Sequence, residues 1–210
     1  MNLEELERQV QLQEDIQEIE HLQRTYGYYF DNNMWPEIID QFSDNAESVE
    51  IIDHGVFYGK KGVRRIYWDM FAGGGRPRQW PAWEQWSVMQ IGGVVDVSPD
   101  GKTAWGRWQT WLTEALPWGA HPHNEWSHGY YENKYVKEDG KWKFSLLHWN
   151  DTFCTPVEQG WLKTSLIGWM PLPDADAPPT AFHPYPSGYH VPYHYKHPII
   201  CCQSAKWDTF

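Results

Sequence analysis

The side chains of this chain best suited to moving protons are its 10 histidines and a few carboxylates and tyrosines at helix and strand spacings. Asp31 stands at the C-terminal end of a predicted helix, where the helix dipole disfavours a carboxylate and a charged partner is needed. His128 lies in a strand-like run, Trp126–Val136. An imidazole titrates near neutrality and can both give and take a proton, and a carboxylate on its other nitrogen fixes the tautomer. Two readings stand side by side: Asp31 and His128 as an acid–base pair, or as a turn residue and a satisfied strand histidine.

Strand alternation puts His128, Tyr130, Glu132 and Lys134 on one face, and Tyr131, Asn133 and Tyr135 on the other. If His128 faces a cavity, Lys134 shares that face and is placed to hold a phenolate; otherwise it is a solvated lysine. In the next run Trp142, Phe144, Leu146, His148 and Asn150 share a face, which makes His148 and Asn150 pocket-wall candidates. Trp111 is a candidate for binding an aromatic ring. Tyr29 and Tyr58 either offer hydroxyls to a cavity or pack in the core. Of the arginines around the glycine-rich loop, Arg78, beside Trp80 and Trp83, is the candidate anchor for a phenolic oxygen. His121-Pro122-His123 with Glu125 invites a metal reading, but a proline between the ligands and the short step to the glutamate do not suit a metal site. No metal or cofactor is expected.

Composition narrows the field. A net charge of −11 argues against nucleic acid or an anionic membrane as partner. The 15 Trp, 12 Tyr and 8 Phe suit a cavity for a flat, partly polar small molecule, although most will serve as core. Cys154, Cys201 and Cys202 make no disulfide framework or CxxC pair. There is no run of about 18 apolar residues and no signal-like N-terminus, so a cytoplasmic protein is expected.

The elements that must position these groups are legible from periodicity. Apolar residues from Leu3 to Tyr29 predict a helix over Leu3–Phe30, broken by Asp31-Asn32-Asn33. Pro36 suits the first turn of a second helix, Trp35–Phe42. A strand over Ala46–Asp53, a turn at His54-Gly55, a short run Val56–Tyr58 and a third helix from Gly59 through Phe71 follow. Then come strands Trp86–Val97, Thr103–Thr113, Trp126–Val136 and Lys141–Asn150, with turn signals at Pro99-Asp100-Gly101 and Asp139-Gly140. The fold class is α+β, with helices on one face of a curved antiparallel sheet. Residues 1–170 are read as this domain. Residues 171–210, rich in Pro, Tyr and His, are read as an extension wrapping the domain or a neighbouring subunit.

Local motifs resemble one known branch. Phe30-Asp31-Asn32-Asn33-Met34-Trp35 resembles the Tyr-Asp-x-x-x-Trp that ends the first helix of scytalone dehydratases. Ile91-Gly92-Gly93 resembles the start of their long strand pair, and His128 followed by Asp139-Gly140-x-Trp142-Lys143-Phe144 resembles their histidine strand and its hairpin. The resemblance spans about residues 15 to 155 and implies the NTF2-like cone fold, a cofactor-free lyase and a homotrimer. It implies Asp31 and His128 as the catalytic pair, with His54 where the family has a water-holding tyrosine. Phe30 and Met89 depart from the pattern, so a different substrate is implied. The tryptophan-rich strands and long extension also resemble the NTF2-like γ-formaldehyde lyases, which turn a diarylpropane diol into a stilbene and formaldehyde. That chemistry implies His128 as acid at the benzylic hydroxyl, and His128, His54 or Tyr58 as base.

Overall fold

The computed structural model describes residues 2–51, 54–74, 85–116, 123–165, 171–180 and 185–196. Helix α1, Leu3–Asp31, is capped by the Asn2 side chain, which accepts a hydrogen bond from the Glu5 amide at 2.8 Å. Glu4 and Glu5 in the first turn complement the helix dipole. The helix ends where Asn33 enters the left-handed region at φ 57°, a conformation asparagine tolerates. Ile19, Gln23, Tyr26 and Phe30 form its buried stripe. The apolar pattern begins earlier, yet Leu3, Leu6 and Val10 remain 69%, 44% and 50% exposed, because the N-terminal turns of α1 run past the layer they would pack on.

Helix α2, Trp35–Asp40, has Pro36 in its first turn and stops two residues short of the predicted end. Strands β1, Ser48–Ile51, and β2, Val56–Tyr58, pair antiparallel. Helix α3, Gly59–Arg64, continues into a π-helical turn, Arg65–Phe71. Gly62 is required there, since a Cβ would lie 2.5 Å from the Phe57 carbonyl carbon. The long strands follow: β3, Gln85–Val97; β4, Thr103–Leu116; β5, His123–Glu138; and β6, Lys141–Pro156. They extend beyond the sequence-based bounds, because cross-strand pairing continues past the end of the alternating pattern.

The six strands form one curved, open sheet in the order β2-β1-β6-β5-β4-β3, with β1 parallel to β6 and the remaining pairs antiparallel. Two register shifts separate β5 from β6: Lys134 and Tyr135 face Leu146 and Phe144, and His128 and Gly129 face Phe153 and Asp151. Ser145 and Thr152 are the extra residues. Each bulge reverses which face the following β6 side chains occupy.

Helix α1 lies across the concave face. Gln23 accepts from Asn133 Nδ2 at 2.9 Å and from the Tyr135 hydroxyl at 2.6 Å. The buried Asp15 carboxylate meets Lys137 and accepts from Trp142 Nε1 at 3.0 Å. Between α1, α2, the π-helical turn and the sheet sits a packed aromatic core. Phe30 touches Trp35, Phe71 and Trp86 edge-on at 5.1–5.3 Å, a geometry that aligns ring edges with ring faces. The convex face is covered in part by the chain after Pro171. Leu172 N donates to His54 O, Thr180 N to Glu50, and Tyr185 N to Thr152 O. No helix among the described residues is long and apolar enough to cross a membrane.

Candidate functional site

Alternation along β5 is unbroken and decides which groups share a face. Tyr131, Asn133 and Tyr135 point to α1: Tyr131 packs edge-on against Tyr26 at 5.8 Å, and the other two bond Gln23. Glu125, Ser127 and Gly129 continue that concave row, and Trp126, His128, Tyr130, Glu132 and Lys134 occupy the convex one.

His128 therefore lies on the opposite side of the sheet from the core and from Asp31, and the expected Asp31–His128 pair does not form. His128 bonds Gln109 Nε2 at 3.0 Å, stacks on Phe153 and leans on Trp111. Burial lowers its pKa, and no carboxylate among the described residues opposes that shift. Trp111 shares this convex layer. Lys134 is bound to Glu47 and holds nothing in the core. His148 and Asn150 were expected beside Trp142 and Phe144, but the bulge at Ser145 turns them to the convex face, where His148 Nε2 lies 3.5 Å from Glu50. Burial lowers the His148 pKa, with Glu50 acting against it. Tyr58 is 56% exposed and is no cavity residue. Tyr29 is half-buried at the edge of the core, beside α2. His54 is buried at the β1–β2 turn, its carbonyl held by Leu172. Arg78, and with it Trp80 and Trp83, lies outside the described residues.

Asp31 is on the concave side. Its Oδ1 accepts the Val88 amide of edge strand β3 at 2.7 Å, so a backbone donor takes the place of the charged partner the helix end requires. Burial raises its pKa, and the Val88 bond counteracts part of the rise. Val88 pairs with Leu112 and Trp86 with Glu114, which puts Glu114 two residues along the ladder on the same concave side. Glu114 faces Glu125 across the β4–β5 pair, and Ser127 faces Cys154. Cys154 Sγ is 3.7 Å from Glu114 Oε1 and 3.4 Å from Glu125 Oε2, and Ser127 Oγ donates to Asp151 at 2.9 Å. All five are buried.

Carboxylates this close in a dry interior cannot all ionise. Burial, then Glu125 and Asp151, push the Glu114 carboxyl well above the usual range and so favour its protonated form. Beneath the cluster the Tyr131 phenol is buried between α1 and β6, and its pKa is raised well above the ordinary value by burial first, then by Tyr26 and by the charges of Asp31 and Asp151. A protonated glutamic acid and an ionisable aspartate on one concave surface can give a proton at one atom and remove one at another. Glu114, Glu125 and Cys154 also bring one ligand atom each within 4.8 Å of the others, the spacing of a metal-binding group. Their chemistry fits a metal less well, since a shared proton already relieves the repulsion.

Sequence reasoning missed Glu114, Ser127 and Asp151, and weighed Glu125 only within a metal motif with His121 and His123 that it set aside. The available signal was their phase: Glu125 and Ser127 alternate with Tyr131 and Asn133, on the face opposite His128.

A family model for the SnoaL-like domain matches residues 11–148. No curated relative matches the sequence. Among solved structures, a candidate scytalone dehydratase from Novosphingobium aromaticivorans is 17% identical with a TM-score of 0.58, covering 77% of this chain and 98% of that one. The LinA protein is 16% identical with a TM-score of 0.60, covering 71% and 94%. The hexachlorocyclohexane dehydrochlorinase LinA-type3 from Novosphingobium barchaimii is 17% identical with a TM-score of 0.58, covering 79% and 99%. At these identities the likeness is one of fold. With the family model running from within α1 into β6, over more than half of its length, this chain belongs to the SnoaL-like domain family.

Proposed function

We propose that the concave site is that of a cofactor-independent lyase acting on a phenolic aromatic alcohol. The observation that carries this reading is the split between two carboxyl groups on one face: Glu114 pushed toward its protonated form by burial and then by Glu125 and Asp151, and Asp31 able to ionise beside Val88. Glu114 gives its proton to the departing benzylic hydroxyl, which leaves as water while the para-phenol becomes a quinone methide, releasing its own proton to solvent and regaining one when the ring is restored as a phenolate. Asp31 then takes the proton of the terminal hydroxyl. The carbon–carbon bond breaks toward the quinone methide, formaldehyde departs, and the ring recovers its aromaticity as a stilbene. Proton transfers of this kind each contribute about 10²–10⁴-fold in rate. The rings of Phe30, Phe71 and Trp86 provide a dry aromatic wall beside Asp31.

The substrate class we favour is a lignin-derived diarylpropane diol, supported by the aromatic content of the chain. A second reading keeps the acid and changes the base step: a proton removed from the adjacent carbon makes the enzyme a simple dehydratase. Incubation with a phenolic diarylpropane diol, following stilbene absorbance and free formaldehyde, tests both. Formaldehyde in step with stilbene is expected. An alkene that keeps its terminal carbon, with no formaldehyde, assigns the dehydratase, and inertness toward phenolic benzylic alcohols refutes the class. We further propose a homotrimer, supported by Met89, Ile91 and Trp126, which are 46%, 49% and 41% exposed on the convex face. Light scattering on the purified protein should return three times the chain mass.

A further inference from the structure

The convex face carries a cavity of its own. The chain from Tyr185 to Tyr193 crosses β4–β6 and is fastened at both ends. At one end Tyr185 N donates to Thr152 O at 2.8 Å. At the other, Arg107 Nη1 donates to the carbonyls of Val191 and Pro192 at 3.1 and 2.9 Å. The Arg107 guanidinium lies between the rings of Tyr130 and Tyr193, 4.7 and 4.3 Å from their centroids. His194 locks the same end, with Nδ1 3.0 Å from Glu132 and Nε2 3.2 Å from Asp96.

Between these fastenings the segment stands off the sheet and borders a cavity of about 200 Å³, lined by Tyr130, Asn150, Asp151, Tyr185, Tyr189 and Tyr193. Asn150 is 7% exposed, and its side-chain Nδ2 finds no acceptor among the described residues. A buried amide donor left unmet is unfavourable, and folded proteins rarely leave one without a partner.

We propose that this cavity is a second ligand site, separated from the concave site by the thickness of the sheet, for a small uncharged single-ring aromatic bearing a carbonyl or phenolic oxygen. The chemistry follows from the lining. The tyrosine rings of the lining suit an aromatic ring. The Asn150 amide calls for a hydrogen-bond acceptor. Arg107 already has Glu132 at 3.4 Å, so an acidic ligand is not needed for charge balance. The volume falls below the 300–1,000 Å³ or so of pockets for drug-sized ligands, which limits the occupant to one ring. This proposal does not depend on the lyase reading.

The test uses 4-hydroxybenzaldehyde as probe and the full-length isotope-labelled protein. Saturable shifts of the Asn150 side-chain amide resonances are expected, together with shifts in the Tyr189 and Tyr193 backbone amides. Asn150→Leu, of similar size, should weaken binding by about tenfold, the loss of one buried hydrogen bond. Asn150 side-chain resonances that stay fixed at saturating probe overturn the proposal in the wild-type protein, whatever the variant does. Shifts confined to Asp31, Glu114 and Ser127 overturn it too, since none of these lines the cavity and together they place the compound on the concave face.

Discussion

The two faces of the sheet use the same kinds of residue to opposite ends. On the concave face carboxylates crowd together under α1, with Glu114 pushed toward its protonated form and Tyr131 buried below. On the convex face acids are met by bases: Glu132 by Arg107 and His194, Glu47 by Lys134, and Glu50 by His148. Matched charges hold a segment of chain in place and leave no proton under tension. Carboxyl groups crowded together in a dry setting hold a proton that a substrate can take, which is why we assign the chemistry to the concave side.

The largest expected effect separates the faces directly. Glu114→Gln and Asp31→Asn should each lower turnover of a phenolic benzylic alcohol by about 10²–10⁴-fold, whereas His128→Ala should stay close to the wild-type rate. Steady-state kinetics of the three variants decide it, and a dead His128→Ala with an active Glu114→Gln would move the site to the convex face. The pH–rate profile follows from the same groups. Asp31 must be ionised and its pKa is raised, so the acid limb should lie above the ordinary aspartate range. Glu114 must be protonated and its pKa is raised further, so the alkaline limb should report its deprotonation. Asp31→Asn should remove the acid limb from the residual activity.

Stability sharpens the same contrast. Asp15→Ala breaks the buried contact with Lys137 and Trp142 and should cost about 3 kcal/mol in chemical denaturation. Burial alone would raise the Asp15 pKa, but the bonds from Lys137 and Trp142 prevail and hold it below its ordinary value. Its stabilisation is therefore complete above the ordinary aspartate range and is lost as pH falls through the depressed value. Arg107→Ala should cost about 1–2 kcal/mol and expose the 185–193 segment to proteolysis, since two carbonyl bonds and two ring contacts go together. Glu114 has the sign opposite to Asp15. The folded state holds a proton that the unfolded chain sheds above the ordinary glutamate pKa, so stability falls as pH rises through that window. Glu114→Gln should therefore raise the melting temperature at neutral pH slightly while abolishing the rate, the smallest of these effects.

Much of the scaffold was legible in the chain. The α1 stripe, the Pro36 start of α2, the Asp139-Gly140 hairpin and the order of the elements all follow from local periodicity and turn chemistry. The α+β class and the open sheet agree with that reading. Asp31 stood out as a carboxylate at an unfavourable helix end, and it does need a partner, although the partner is a strand amide. The alternation of β5 was likewise correct, with Tyr131 and His128 on opposite faces.

What periodicity lacks is an absolute phase. The pattern of β5 fits equally well with either row toward the helix, and the tie breaks only when Gln23 of α1 meets Asn133 and Tyr135. The β6 bulges carry no sequence signal at all, yet the one at Ser145 sets the faces of His148, Asn150 and Asp151, and the one at Thr152 those of Phe153 and Cys154. The sequence by itself determined the elements, their order and the residues that alternate together, because these depend on neighbours along the chain. Only the tertiary structure decided which row is buried and which carboxylates crowd, because a shifted pKa depends on groups that the fold brings close from β4, β5 and β6.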